Sequence, residues 1–297
     1  MKIGDIMNSY DCVIIGGGIA GLTSAIYTAR AGLSTLIIER SQVGGQIVNS
    51  LDVENYPGYK SINGYDLISN IKSQVIDLGV KIIDDEVIKL ETDKVITKNN
   101  EFIFKTAIIA SGLERRTLGF EKPYIGKGVS YCATCDGAFF RNKEVAVLGG
   151  GNTALDDALY LSNIASKVYL IHRRSEFRGS EGTLNKIKTK DNIELVLNRT
   201  ITSINGDDTL SSITLDNGDE LNISGLFIAI GLIPDTNYLG DLITKDESGF
   251  IISEDTTTNL PNIFVAGDVR TKNVRQLITA ASDGAIAATN CINYINS

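Results

Sequence analysis

Cys132 and Cys135 stand two residues apart in Tyr131-Cys132-Ala133-Thr134-Cys135-Asp136-Gly137, with a carboxylate directly after the second thiol. Two thiols at that spacing can close a disulfide, and Asp136 is near enough to give or take a proton as it is reduced. A cysteine pair at the start of an expected helix has a thiol pKa lowered by the helix N-terminus, and the thiolate is the species that attacks a disulfide. Asp136 also suits the plainer role of a helix-start cap. Metal binding is the other use of such a pair, but a closed zinc site wants four nitrogen or sulfur ligands. The remaining cysteines, Cys12 and Cys291, fall in an expected strand and an expected terminal helix, and the sole histidine is His172. No metal is therefore expected, and Cys12 and Cys291 read as buried apolar fillers.

A glycine-rich loop lies on each side of this pair. In the first, Tyr10–Ile15 reads as a strand, Gly16-Gly17-Gly18-Ile19-Ala20-Gly21 fits G-x-G-x-x-G, Leu22–Ala31 reads as a helix, and Ser34–Ile38 is a second strand closed by Glu39. Gly16 permits a tight turn, Gly18 admits a pyrophosphate against the backbone, and Gly21 lets helix and strand approach. Phosphate charge would then sit at a helix N-terminus, with Glu39 placed to accept hydrogen bonds from a ribose diol. In the second, Lys143–Gly149 is strand-like, Gly149-Gly150-Gly151-Asn152-Thr153-Ala154 fits G-x-G-x-x-A, Leu155–Ile164 is helical, and Lys167–Ile171 leads to His172. Gly16 to Glu39 and Gly149 to His172 are both 23 residues, so the chain carries one nucleotide-binding unit twice. The copies differ at the ribose end. An acid suits a free 2′-hydroxyl, whereas Arg173, Arg174 and Arg178 suit a 2′-phosphate through charge-assisted bonds, so the second site should prefer NADP to NAD. The order suggests a hydride entering at one nucleotide, passing through the other, and leaving as an electron pair through the two sulfurs.

Other segments must position these residues. Gly64–Leu78 has helical periodicity. Val80–Ile83, Glu86–Leu90, Lys94–Thr97 and Glu101–Phe104 suggest a small antiparallel meander, and Thr106–Ala110 a separate buried strand. Phe264–Asp268 is a strand entering a turn with an acid, followed by a small-residue helix over Gln276–Ile292. The expected fold is α/β, with two Rossmann-like nucleotide-binding domains, one inserted into the other. The expected boundaries are 1–115 and 245–297 for the first domain and 116–244 for the inserted one, with hinges at Leu113–Arg116 and Gly240–Ser248.

Composition limits the partners. The chain has 297 residues, a formal charge of −8 and 43% hydrophobic residues, which predicts well-buried cores and argues against a nucleic-acid surface. No apolar run approaches the ~18 residues of a membrane span. Met1–Tyr10 lacks the pattern of a secretory signal, so a cytoplasmic protein is expected; Met7 could serve as an alternative start without touching the motifs.

Over essentially its full length the chain resembles the small, bacterial-type thioredoxin reductases. The matching stretches are GGGIAG at 16–21, GGQ at 44–46, ENYPG at 54–58, CATCDG at 132–137, GGGNTA at 149–154, HRRSEFR at 172–178, AGD at 266–268 and RQLITAASDGA at 275–285. The resemblance implies FAD at the first site, with contacts from Gly16, Gly18, Ala20, Gly21, Glu39, Arg40, Gly45, Gln46, Asn55, Gly267, Asp268, Arg275 and Gln276. It implies NADPH at the second, with contacts from Gly151, Asn152, Thr153, His172, Arg173, Arg174 and Arg178. Cys135 would be the thiol nearest the flavin, Cys132 the one that attacks thioredoxin, and Asp136 the acid–base residue. Members are homodimers whose NADPH domain rotates. Ser282 stands where glycine is common in the family. Two related enzymes remain as alternatives, one taking electrons from ferredoxin and one serving another dithiol carrier; a non-enzymatic NADP sensor would be of another class.

Overall fold

The computed structural model describes residues 9–50 and 53–297; Met7 and most of the N-terminal stretch considered above lie outside them. The chain divides into two units, one running to Glu114 and resuming at Ile233–Ser297, the other spanning Arg115–Leu232.

The first unit is built on β1 (Ser9–Ile15), α1 (Ile19–Arg30), β2 (Thr35–Glu39), α2 (Gly64–Asp77) and the strands β3 (Lys81–Asp84), β4 (Val87–Leu90), β5 (Lys94–Thr97) and β6 (Glu101–Ile109). Its sheet runs β3-β2-β1-β6-β5-β4, and the late strand β17 (Ile263–Val265) joins beside β6. Successive side chains of a strand point to opposite faces. Cys12 and Ile14 therefore pack under α1, α2 and the C-terminal helix α6 (Leu277–Asn296), while Val13 and Ile15 pack on the other side with Leu90, Phe102 and Ile243.

Two expectations change here. Lys81–Asp84 pairs in parallel with β2 at the sheet edge and is no part of the antiparallel meander, which is β4-β5-β6. Its residues follow a helix, so the chain re-enters the sheet in the parallel sense of a βαβ crossover. Glu101–Phe104 and Thr106–Ala110 are one strand, not two. The N-terminal half of β6 pairs with β5 and the C-terminal half with β17, so one strand serves both neighbours.

The second unit begins at the end of β7 (Leu113–Arg115) and contains β8 (Val129–Ser130), α3 (Ala133–Asp136), β9 (Glu144–Gly149), α4 (Asn152–Ser162), β10 (Lys167–His172), α5 (Glu181–Lys188) and β11 (Ile193–Leu197). An antiparallel sheet follows, from β12 (Ile201–Asn205), β13 (Ser212–Leu215) and β14 (Glu220–Asn222). The chain then returns through β15 (Gly225–Ala229) to β16 (Leu232–Pro234). The parallel sheet is β11-β10-β9-β15-β8, with Leu155, Leu161 and Phe227 packed on one face and Leu148, Ile171 and Ile213 on the other.

β7 and β16 pair with each other and carry the two crossings. The return falls at Ile233, twelve residues before the expected 245, so Gly240–Ser248 lies within the first unit. Leu239 and Ile243 are buried in the core of the first unit, which draws the chain back as soon as β16 ends.

Candidate functional site

In the first unit the glycine loop forms an open cradle. Gly16 has a φ of +106°, which favours glycine, and a Cβ at Gly18 would meet nothing within 4 Å. α1 starts at the Gly18 cap with no side-chain hydrogen bond to its first amides, leaving donors aimed at an anion. A Cβ on Gly21 would lie 2.0 Å from the Gly16 carbonyl oxygen, so helix and turn are in direct contact. Beside the cradle, at the carboxyl ends of β1 and β2, a cleft of about 390 Å³ is lined by Gly16, Glu39, Arg40, Asp85, Ser111 and Tyr238 among others. That is where ligands of open α/β sheets bind.

Glu39 accepts hydrogen bonds from the Gly17 N–H at 2.7 Å and the Ser41 N–H at 2.9 Å. Arg40 forms ion pairs with Glu114 and, at 3.1 Å, with Asp235. Burial, opposed by Arg40 and reinforced by Glu114, pushes the Asp235 carboxyl up to about 6. The Gly44 N–H donates to the Gly17 carbonyl at 2.8 Å, which brings Gly45 and Gln46 to the cradle, and Gln46 donates to the Leu113 carbonyl at 2.9 Å. Asn55 donates to the Gln276 side chain at 3.0 Å, placing both at the start of α6. Ala20 lies beneath Gly267, where an added Cβ would come within 3.0 Å of it. Arg275 donates to the carbonyls of Asp268, Lys272 and Arg270, each at 3.2 Å, and stacks over Phe250. Asp268 Oδ1 is buried with no hydrogen-bond partner, and burial raises that carboxyl. An orphaned acceptor, an uncapped helix start, an open cradle and a cleft of nucleotide size together fit a flavin adenine dinucleotide.

The second unit repeats the cradle with different chemistry. A Cβ on Gly151 would point into open space, and α4 begins without a side-chain cap. Asn152 Oδ1 accepts from the Ser180 N–H at 2.7 Å, folding the arginine segment toward this helix start, and Thr153 is exposed beside it. Where the first copy sets Glu39 against Gly17, the second sets the His172 ring against Gly150. His172 is buried, stacks on Phe177 at 5.1 Å and lies with Nε2 3.1 Å from the Glu176 carbonyl, so Nε2 carries the proton. Burial holds its pKa down, and Arg178, Arg173 and Arg174 add to the effect. Those three arginines are exposed, and none forms an ion pair with a described residue. This set of free guanidinium groups fits an NADP phosphate.

Cys132 and Cys135 are joined in a disulfide with an S–S distance of 2.00 Å. The expected helix is here a single turn, α3, capped by Cys132 and continued by a tighter turn over Gly137–Phe140. This turn packs closely on α4: a Cβ at Gly137 would come within 3.0 Å of Tyr160 and 3.1 Å of Leu161. The Cys135 N–H donates to Cys132 Sγ at 3.2 Å. Ser130, which the sequence did not single out, donates its hydroxyl to Asp136 Oδ2 at 2.6 Å and accepts from the Cys132 N–H at 3.0 Å, tying the carboxylate to the sulfur loop. Tyr131 donates to the buried Glu121 at 2.6 Å. Phe139, four residues past Cys135, is 74% exposed. Cys12 and Cys291 are free thiols, both buried, and Cys291 Sγ lies 2.8 Å from the Thr106 hydroxyl. Among the described residues no group of three or more His, Cys, Asp or Glu could hold a metal ion, and no helix is long and apolar enough to cross a membrane.

Residues 10–285 match the model of the pyridine nucleotide-disulphide oxidoreductases. The chain is 41% identical to the thioredoxin reductase of Listeria innocua, over 96% of this chain and 94% of that protein. It is 39% identical to the thioredoxin reductase of Bacillus subtilis, over 96% and 95%. Among solved structures it superposes on the thioredoxin reductase of Lactococcus lactis with a TM-score of 0.81 and 41% identity, covering 97% of this chain and 99% of that one.

Proposed function

The chain belongs to the pyridine nucleotide-disulphide oxidoreductases, and within them to the thioredoxin reductases, and from that premise we propose that it reduces the disulfide of thioredoxin with NADPH through FAD and the Cys132–Cys135 pair. The observation that carries this reading is the closed Cys132–Cys135 disulfide with the Asp136 carboxylate hydrogen-bonded into the same loop. FAD, held by the Gly16–Gly21 loop, Glu39 and Asp268, would supply the two-electron chemistry that links NADPH to that disulfide.

We assign the residues as follows. The uncapped starts of α1 and α4 hold the phosphates of FAD and NADPH. Glu39 takes a ribose of FAD, Asp268 a hydroxyl of the same nucleotide, and Arg173, Arg174 and Arg178 the 2′-phosphate of NADPH. When the electron pair arrives, the Cys132–Cys135 bond breaks and each sulfur needs one proton to become a thiol. Asp136, fixed by Ser130, transfers a proton at this step. Cys132, as thiolate, then attacks one sulfur of the thioredoxin disulfide, forming a mixed disulfide and releasing one substrate sulfur. Cys135 attacks the Cys132 sulfur, restoring the original bond and releasing the second. Phe139 offers an exposed apolar contact for a protein substrate beside this exchange.

The reading includes a homodimer, for which Tyr27 on α1 and Tyr294 on α6 leave exposed aromatic surface. It includes a cytoplasmic location, since the free thiols Cys12 and Cys291 suit a reducing compartment. The inserted unit carries both NADPH and the dithiol.

The test is an anaerobic titration of the purified protein with NADPH and, separately, NADH, following flavin absorbance. Bleaching at low NADPH, reversed by oxidised thioredoxin, is the expected result. A flavin that ignores NADPH but bleaches with reduced ferredoxin would replace the electron donor, and a protein that binds no flavin would overturn the assignment of the first glycine loop.

A further inference from the structure

Asp283 is a carboxylate inside an otherwise small and apolar face of α6, 4% exposed, among Ala280, Ala281, Gly284 and Ala287. It accepts from Arg270 through both oxygens, at 2.9 and 2.8 Å, from Lys272 Nζ at 2.7 Å and from the Gly267 N–H at 3.1 Å. Burial alone would raise its pKa, but the bonds from Arg270 and Lys272 outweigh burial and hold it ionised. The Lys272 side chain is only 7% exposed, so this ammonium has little solvent to fall back on.

The neighbouring acid behaves in the opposite way. Asp268 follows Gly267 directly, and its Oδ1 is buried without a partner although three cations belong to the same loop. Lys272 and Arg275 both act electrostatically on Asp268. Arg275 is committed to three backbone carbonyls and the Phe250 ring. Arg270 and Lys272 are committed to Asp283. Each cation near the orphaned acceptor is thus occupied elsewhere. A buried carboxylate oxygen left unpaired beside an ammonium is costly unless another group is meant to fill it.

We propose that Asp283 is a positioning residue that sequesters Lys272 and Arg270, so that Asp268 stays open as the acceptor for a hydroxyl of the flavin nucleotide. The inference rests on FAD as the ligand of the first unit. Without the Asp283 charge, Lys272 turns to Asp268, on which it already acts electrostatically, and an internal ion pair occupies the place of the cofactor hydroxyl.

The test compares FAD affinity in four proteins: the unaltered chain, Asp283→Asn, Lys272→Met, and the Asp283→Asn/Lys272→Met double variant. Each is stripped of flavin and titrated with FAD, following flavin fluorescence, with circular dichroism as the check on folding. Asp283→Asn should bind FAD ~10-fold more weakly, the loss of about one charge-assisted hydrogen bond. Lys272→Met alone should bind like the unaltered chain, and the double variant should recover to within ~3-fold of it. An Asp283→Asn variant that folds and binds FAD normally overturns the proposal. So does a double variant that stays as weak as Asp283→Asn, since Asp283 would then only support the packing of the turn. Should Asp283→Asn fail to fold, the double variant decides alone: binding equal to Lys272→Met supports sequestration, and failure to fold or bind overturns it. Absence of FAD binding by the unaltered chain would instead strike the functional reading itself.

Discussion

At the scale of single residues, the two nucleotide cradles show how little chemistry separates one ligand from another. Both place a side chain from the second strand against the middle glycine of the loop, Glu39 against Gly17 and His172 against Gly150. The carboxylate is held by backbone amides; the imidazole is buried with its pKa held down, and the arginines after it are exposed, which is why the proposed reading gives them the 2′-phosphate. Replacing Arg173 and Arg174 together by alanine should therefore weaken NADPH by about 100-fold, near 1.4 kcal/mol for each charge-assisted bond. NADH should change by less than ~3-fold, because it carries no 2′-phosphate. Separate titrations of the two cofactors check this, and equal losses would remove the 2′-phosphate assignment. These assignments could be proposed from the sequence because residue type and interval suffice to state them. Ser130 and Asp283 were not, because a serine before a cysteine, or an acid in an alanine-rich helix, has no meaning until its partners are known.

At the scale of elements, α1, which begins at the first glycine loop, is packed directly against α6. A Cβ on Gly284 would lie 2.3 Å from the Ala20 carbonyl oxygen and 3.0 Å from Thr23 Cβ, so the helices meet backbone to backbone. The Ser24 hydroxyl lies 3.1 Å from the Gly284 carbonyl and 2.9 Å from its own helix at Ala20, closing the same seam. Gly284→Ala must push the helices apart, which should cost about 1–3 kcal/mol. A lower urea midpoint for the first unit, with FAD retained less firmly, is the expected outcome; an unchanged midpoint would mean that the seam relaxes freely. The sequence revealed the existence of these helices through periodicity but not this contact. It likewise placed the strands of 80–104 in one meander, since the pattern of a short half-buried strand is the same in parallel and antiparallel pairing.

At the scale of the whole molecule, stability against pH follows from acids that the fold strains. Burial, with Asp156 beside it, pushes Asp157 up to about 6 from an ordinary value of 3.8. The folded state therefore holds this proton at pH values where the unfolded chain has lost it. This contribution makes the protein lose stability as pH rises from about 4 to about 6, and the cost then persists at neutral pH. Asp157→Asn removes that cost. It should stabilise the second unit by about 2 kcal/mol at neutral pH, and the gain should fade as pH falls toward the ordinary carboxylate range. Urea unfolding by circular dichroism at both ends of that window checks the sign; a gain that grows on acidification would contradict it. Asp85 and Asp283, whose hydrogen bonds outweigh their burial and hold them ionised, work in the opposite direction and are lost only at lower pH.

What the sequence by itself determined was local: two glycine cradles with their following strands, the C-x-x-C beside an acid, and an acid after the second strand of one unit where the other has a histidine followed by arginines. Each is specified by backbone conformations and side chains within one strand–turn–helix unit, so spacing alone carries it. What only the tertiary structure decided were choices between distant partners. The return crossing came at Ile233 because Leu239 and Ile243 find a core waiting in the first unit. Glu101–Ile109 is one strand because β5 and β17, far apart in the chain, pair with its two halves. Asp268 Oδ1 has no partner while Asp283, fifteen residues on and in another element, holds Arg270 and Lys272. Burial and pairing are set by which faces meet, and that is a property of the packed chain rather than of any one segment.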